Sequence, residues 1–162
     1  MLTLTPAQIT DYLRKSYAAA DGLWFMKVED ACGFDAALDI DEKVWRVMPK
    51  IQARAMKSFC GGSTGLDALV QCFETKLQLD GFEFSTTTSV NSAEIPISKC
   101  PWYDKLVKSH REHLADKIGS RICLAEFSGW AAEFGCKFSF TGDDRICRGC
   151  RECGVRFTAT RA

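Results

Sequence analysis

Cys147-x-x-Cys150-x-x-Cys153 places three thiols at a spacing of three, with Gly149 inside the run and Arg145, Arg148 and Arg151 among them. A two-residue gap lets successive thiolates turn inward onto one metal ion, because a tight turn brings their sulfurs together. Iron–sulfur proteins use the same double gap, with a further cysteine placed before a proline. No proline follows Cys153. A fourth ligand would therefore come from earlier in the chain, and Cys136, Cys123 and Cys100 are the candidates. The interleaved arginines are expected to offset clustered thiolates and lower their pKa values. Zinc and an iron–sulfur cluster both accept four thiolates, so spacing alone leaves both open; zinc is the first expectation and a cluster the alternative.

Three further groups could take part in chemistry. Glu126 lies three residues after Cys123, which puts thiol and carboxylate on one side of a helix. A carboxylate in so apolar a helix is costly unless paired or bound, which makes Glu126 a candidate ligand or proton carrier. His110 and His113 share a helical spacing beside Glu112; His110 is the inward-facing candidate for proton transfer, on an otherwise charged face. Asp143-Asp144 after Gly142 reads as turn chemistry. The sequence has no phosphate-binding glycine loop, no dinucleotide fingerprint and no H-E-x-x-H.

Composition narrows the classes. The 162 residues carry 21 basic and 21 acidic side chains, so no net charge draws the chain to nucleic acid. No apolar run approaches the roughly 20 residues that span a bilayer, and the first residues lack the pattern of a signal peptide. The expectation is a cytoplasmic protein with no nucleic-acid or membrane partner, and with a second copy of itself as a candidate partner. Nine cysteines stand out against that background. An odd number in a reducing compartment argues against a disulfide framework. Cys32, Cys60 and Cys72 fall inside apolar helical patterns and read as core.

The elements that must position these residues are legible as periodicities. Thr5-Pro6-Ala7-Gln8 has the form of an N-cap, a first-position proline and a capping-box glutamine. A helix follows with Ile9, Leu13 and Tyr17 on one face, ending at Asp21-Gly22, and a short apolar helix then runs to Gly33. A third, from about Asp35 or Asp41 to Phe59, contains Pro49, which should kink or split it. A fourth starts near Thr64 and turns Leu66, Leu69, Val70, Phe73 and Leu77 inward. Trp24, Phe25 and Trp45 read as core. The period then changes: residues 82–88 and 93–97 form a hairpin, and Pro96 marks the second strand as an edge. Helices over 101–119 and 122–135 precede a last hairpin around the cysteine-rich loop. The sum is a single α+β domain, residues 1–162, with N-terminal helices packed on a small antiparallel sheet of two hairpins separated by helices. Its helical front half is residues 1–80 and its cysteine-rich half residues 81–162.

Three stretches of the back half, "KCPWYDKL" after a strand, "ICLAEF" opening a helix and "TGDDRICRGCRECGVRF" in the final hairpin, resemble the L-2-amino-thiazoline-4-carboxylic acid hydrolase-like family. More distantly they are similar to the 4-vinyl-reductase-type ligand-binding domains. The resemblance implies that Cys100, Cys123 and one of the last three cysteines form the site. It also implies a cysteine-rich zinc site beside a pocket for a small, mostly apolar molecule, with Glu126 as the neighbouring glutamate. The final hairpin departs from the pattern, because Cys147, Cys150 and Cys153 compete for one role.

Two main functions follow. In one, cysteines from the set Cys100, Cys123, Cys147, Cys150 and Cys153 close around a metal in a small-molecule binding or sensing domain. In the other, three ligands leave a position open for water in a hydrolase of a small cyclic amide or related C–N bond, with Glu126 or His110 carrying the proton. An iron–sulfur redox protein is a third, weaker expectation.

Overall fold

The computed structural model describes residues 2–160. The chain divides after Lys43 into two compact units. The first holds α1 (Pro6–Cys32) and most of α2 (Phe34–Trp45). Thr5 and Gln8 cap α1 reciprocally, as their spacing predicts. The helix does not stop at Asp21-Gly22. Gly22 costs about 1 kcal/mol against alanine in a helix, and the good helix formers that follow carry the turn through it. Gly33 ends α1 instead, with φ 84° and its N–H donated to the Glu29 carbonyl. Phe25 meets Phe34 edge-to-face across this turn. Trp24 is 65% exposed and Cys32 is exposed as well, so neither is the core residue its pattern predicts.

The second unit contains α3 (Met48–Phe59), α4 (Leu66–Asp80), β1 (Glu83–Phe84), β2 (Thr87–Thr88), β3 (Ser92–Lys99), α5 (Pro101–Lys108), α6 (Ala115–Glu133), β4 (Cys136–Phe140) and β5 (Cys153–Ala159). Pro49 splits the predicted third helix, sitting in the first turn of α3, where a missing N–H costs nothing. The predicted helix over 101–119 is also broken. The chain leaves α5 at Ser109, His110 takes φ 57°, a short 3-10 turn covers Glu112–Leu114, and α6 then runs unbroken to Glu133.

The sheet is antiparallel in the order β1-β3-β5-β4, with β2 also on β3. β3 is therefore central, although it contains Pro96. The reason lies in the neighbouring strand. The Pro96 carbonyl accepts from the Ser85 N–H, so its missing donor faces the same side, where the chain between β1 and β2 is interrupted. Ala93, Ile95 and Ile97 alternate on the buried face of β3 and are joined there by Val155 and Phe157 of β5.

Helices cover that face, as expected of an α+β domain. Phe73 of α4 is the hub of the core and packs edge-on against Phe127 and Trp130 of α6 and Phe157 of β5, at 5.5, 5.6 and 5.0 Å between ring centres. α3 approaches α6 closely at Gly129, where an added Cβ would sit 3.0 Å from Pro49. Trp45 closes edge-on against Trp102 of α5. No helix among the described residues is long and apolar enough to cross a membrane.

Candidate metal centre

Four stretches deliver a cysteine to one neighbourhood. Cys100 is the residue before Pro101 at the start of α5. Cys123 lies on α6, on the face that also carries Gly119 and Glu126. Cys147 belongs to a 3-10 turn, Ile146–Arg148, that packs on α6. Cys153 begins β5, and its register against Ile97 brings it beside the end of β3, three residues before Cys100.

Gly119 is where two of these meet. A Cβ added there would stand 3.1 Å from Cys147 Sγ and 3.8 Å from Cys123 Sγ. Ordinary carbon contacts are looser, so a hydrogen at this position lets the turn and its thiol settle on the helix.

Electrostatics tie all four together. Burial is the main cause that pushes the Cys123 thiol well above its ordinary value, and Cys100, Glu126, Cys153 and Cys147 each add to it. Cys123 as a whole is half-buried. Burial likewise pushes Cys100 up to about 11; the amides of Tyr103 and Trp102 oppose the shift, and Cys153 and Glu126 add to it. Cys100 makes no capping hydrogen bond, so these amides act as nearby dipoles. Burial also raises Cys147 and Cys153.

The predicted effect of the arginines is therefore reversed in sum. Arg145 and Arg148 do pull Cys147 down, and Arg145 pulls Cys153 down, but desolvation outweighs both. Arg145 lies 3.3 Å over the Phe140 ring, and its buried Nε has no hydrogen-bond partner within the protein. Arg148 is engaged by Asp116 at 2.8 Å. Cys153 Sγ also accepts a hydrogen bond from the Ile146 N–H at 3.1 Å, and the Cys147 amide favours its charged form as well. An amide aimed at sulfur stabilises a thiolate more than a thiol.

The other expected site residues have other partners, although Glu126 raises Cys123 and Cys150 raises Cys153. Cys150 turns to Asp144, with its Sγ 3.6 Å from the carboxylate. Cys136 is buried at the start of β4, near the Phe134 carbonyl. His110 is exposed in the turn after α5, and the helix break separates it from His113. Glu126 is buried, and it is paired: it accepts from the Lys76 ammonium, which also reaches Asp80 at 3.1 Å. Burial alone would lower the pKa of Lys76, but the two carboxylates overcome it and hold the ammonium above its ordinary value. Lys76 also lies over the rings of Phe73 and Phe82. Among the described residues, no set of three or more His, Cys, Asp or Glu side chains stands in metal-bonding geometry.

Lys76, Gly119 and Arg145 are parts of this neighbourhood that motif reading passes over. Each has a sequence signal in retrospect: a lysine one residue from inward Leu77, a glycine inside an apolar helix, and an arginine two before the first clustered cysteine.

A model for a family of unknown function, DUF6125, matches residues 7–153. The chain belongs to that family. The match includes all four converging cysteines, from Cys100 to Cys153. No curated protein matches this DUF6125 member.

Proposed function

We propose that this DUF6125 protein is a thiolate-ligated metal-binding domain in which Cys100, Cys123, Cys147 and Cys153 close on a single zinc ion. The observation that carries the reading is their convergence. Four thiols from separate stretches share one neighbourhood, where Cys100, Cys147 and Cys153 each make Cys123 harder to ionise and Cys153 does the same to Cys100 and Cys147. As neutral thiols the four pack only as small apolar groups. A divalent cation reverses the balance, because every repulsive thiolate becomes a ligand at about 2.3 Å. The Ile146 amide, Arg145 and the space left at Gly119 all favour the charged, loaded form. Loading requires the sulfurs to turn inward as they lose their protons.

Four protein ligands fill a tetrahedral zinc site, which supports a binding or sensing domain over a hydrolase. The hydrolase needs an open position and a free proton carrier, whereas Glu126 is held by Lys76 and His110 is exposed. The small-molecule ligand rests on the resemblance to the L-2-amino-thiazoline-4-carboxylic acid hydrolase-like family. Thiols kept reduced for a metal suit a cytoplasmic location.

The test is elemental analysis with a visible spectrum on protein purified without oxygen. About one zinc per chain and no visible band are expected. Serine at Cys100, Cys123, Cys147 or Cys153 should abolish retention, and Cys150→Ser should spare it. Iron with inorganic sulfide, or a folded chain that takes up no metal, would overturn the assignment.

A further inference from the structure

A second pair of sulfurs lies outside these four. Cys72 on α4 donates its S–H to Cys60 Sγ at 3.4 Å, across 12 positions in the chain. The two differ in access. Cys72 has 0% of its surface exposed, while Cys60 is half-buried. They differ in backbone setting too. Cys72 is held inside α4 next to Phe73, the hub of the core. Cys60 closes α3 and is followed by Gly61 and Gly62, with φ 70° and 80°. Nothing stands within 4 Å of a Cβ at either glycine. The Cys60 side can therefore adjust to the sulfur–sulfur bond of about 2.05 Å that a disulfide requires.

We infer that Cys60 and Cys72 form a reversible dithiol–disulfide site whose co-substrate is a small, soluble disulfide of the glutathione type. Access dictates the order of events. The Cys60 thiolate attacks one sulfur of the incoming disulfide, a mixed disulfide forms, and one small thiolate leaves. Cys72 then gives up its proton and attacks Cys60 Sγ, which breaks the mixed bond and expels the second small thiolate. Two protein thiols have lost two electrons and two protons. The small disulfide has taken up the electrons, and its two thiolates take the protons.

Burial pushes the Cys72 thiol up to about 11, with Lys57 opposing it. The second step is therefore the slow one at neutral pH. The site is independent of the metal reading, because neither sulfur is among the four that converge on α6.

The tryptic peptide 58–76 contains both cysteines and no others, so its mass reports the linkage directly. The full chain, as purified, is treated with oxidised glutathione, alkylated with iodoacetamide and digested. The expected peptide is two hydrogens lighter than the reduced form and carries no alkyl group. Closing a loop of this length should raise the melting temperature by about 8 °C, reversibly with dithiothreitol. Cys72→Ala should leave glutathione on Cys60, and Cys60→Ser should leave Cys72 unmodified. A native chain in which Cys60 keeps its glutathione, links to any other cysteine, or is alkylated along with Cys72 would overturn the inference.

Discussion

Replacing Lys76 with methionine tests the buried charge cluster that stands against the thiols. Lys76 and Glu126 are each about 4% exposed, and their ion pair lies between α4 and α6. Methionine fills the lysine stem's volume but leaves Glu126 a buried carboxylate without its cation. Breaking a buried pair from one side costs about 3–5 kcal/mol, a third or more of the stability of an ordinary domain. With a urea dependence near 2 kcal/mol per M, the midpoint should fall by roughly 2 M. The sign against pH is set by Lys76, whose folded pKa lies above the unfolded value of about 10.4. Its contribution is thus fully present at neutral pH and is lost as pH rises through the folded value, so wild type and variant should converge only in strong alkali. Urea unfolding followed by far-UV circular dichroism measures the first effect at pH 7 and the onset of the second at pH 11. Adding Glu126→Leu to Lys76→Met should recover most of the loss, because the pair as a whole is close to neutral against apolar residues. A single variant that loses less than about 1 kcal/mol, or a double variant no better than the single, would refute the reasoning.

Gly119→Ala should weaken zinc binding at least tenfold in a chelator competition, since its Cβ meets Cys147 Sγ at 3.1 Å. The metal-free chain should lose little stability, because alanine's helix preference of about 1 kcal/mol offsets the tighter contact. Cys100 is raised to about 11 and Cys123, Cys147 and Cys153 are raised as well, so all four are neutral thiols at pH 7 without metal. Zinc loading should then release close to four protons per ion and tighten steeply as pH rises; calorimetry in buffers of different ionisation enthalpy counts them. His110→Gly should raise the melting temperature by a degree or two, since a non-glycine residue holds φ 57° there, and should leave metal binding unchanged.

Local signals decided much of this protein without tertiary help. The capping box at Thr5 and Gln8, the split at Pro49, the alternation along β3 and the final hairpin are written in short-range chemistry, which the folded chain obeys. Cys100, Cys123 and Cys136 stood as the earlier candidates to join the last three cysteines; the fold sets Cys100 and Cys123 near Cys147 and Cys153 and leaves Cys136 at the start of β4 by the Phe134 carbonyl. What the sequence left open were choices among equivalent neighbours. Cys147, Cys150 and Cys153 have the same spacing, and only packing of the 3-10 turn on Gly119 and the register of β5 on β3 turn the outer two toward α6 while Cys150 faces Asp144. Pro96 looked like an edge because the interruption that accommodates it lies on another segment. The buried Glu126 announced a partner, but not that Lys76, 50 residues away, supplies it. Local propensity acts over a turn or two of chain; pairings such as these are settled by which surfaces the fold desolvates together, and that is a property of the tertiary structure alone.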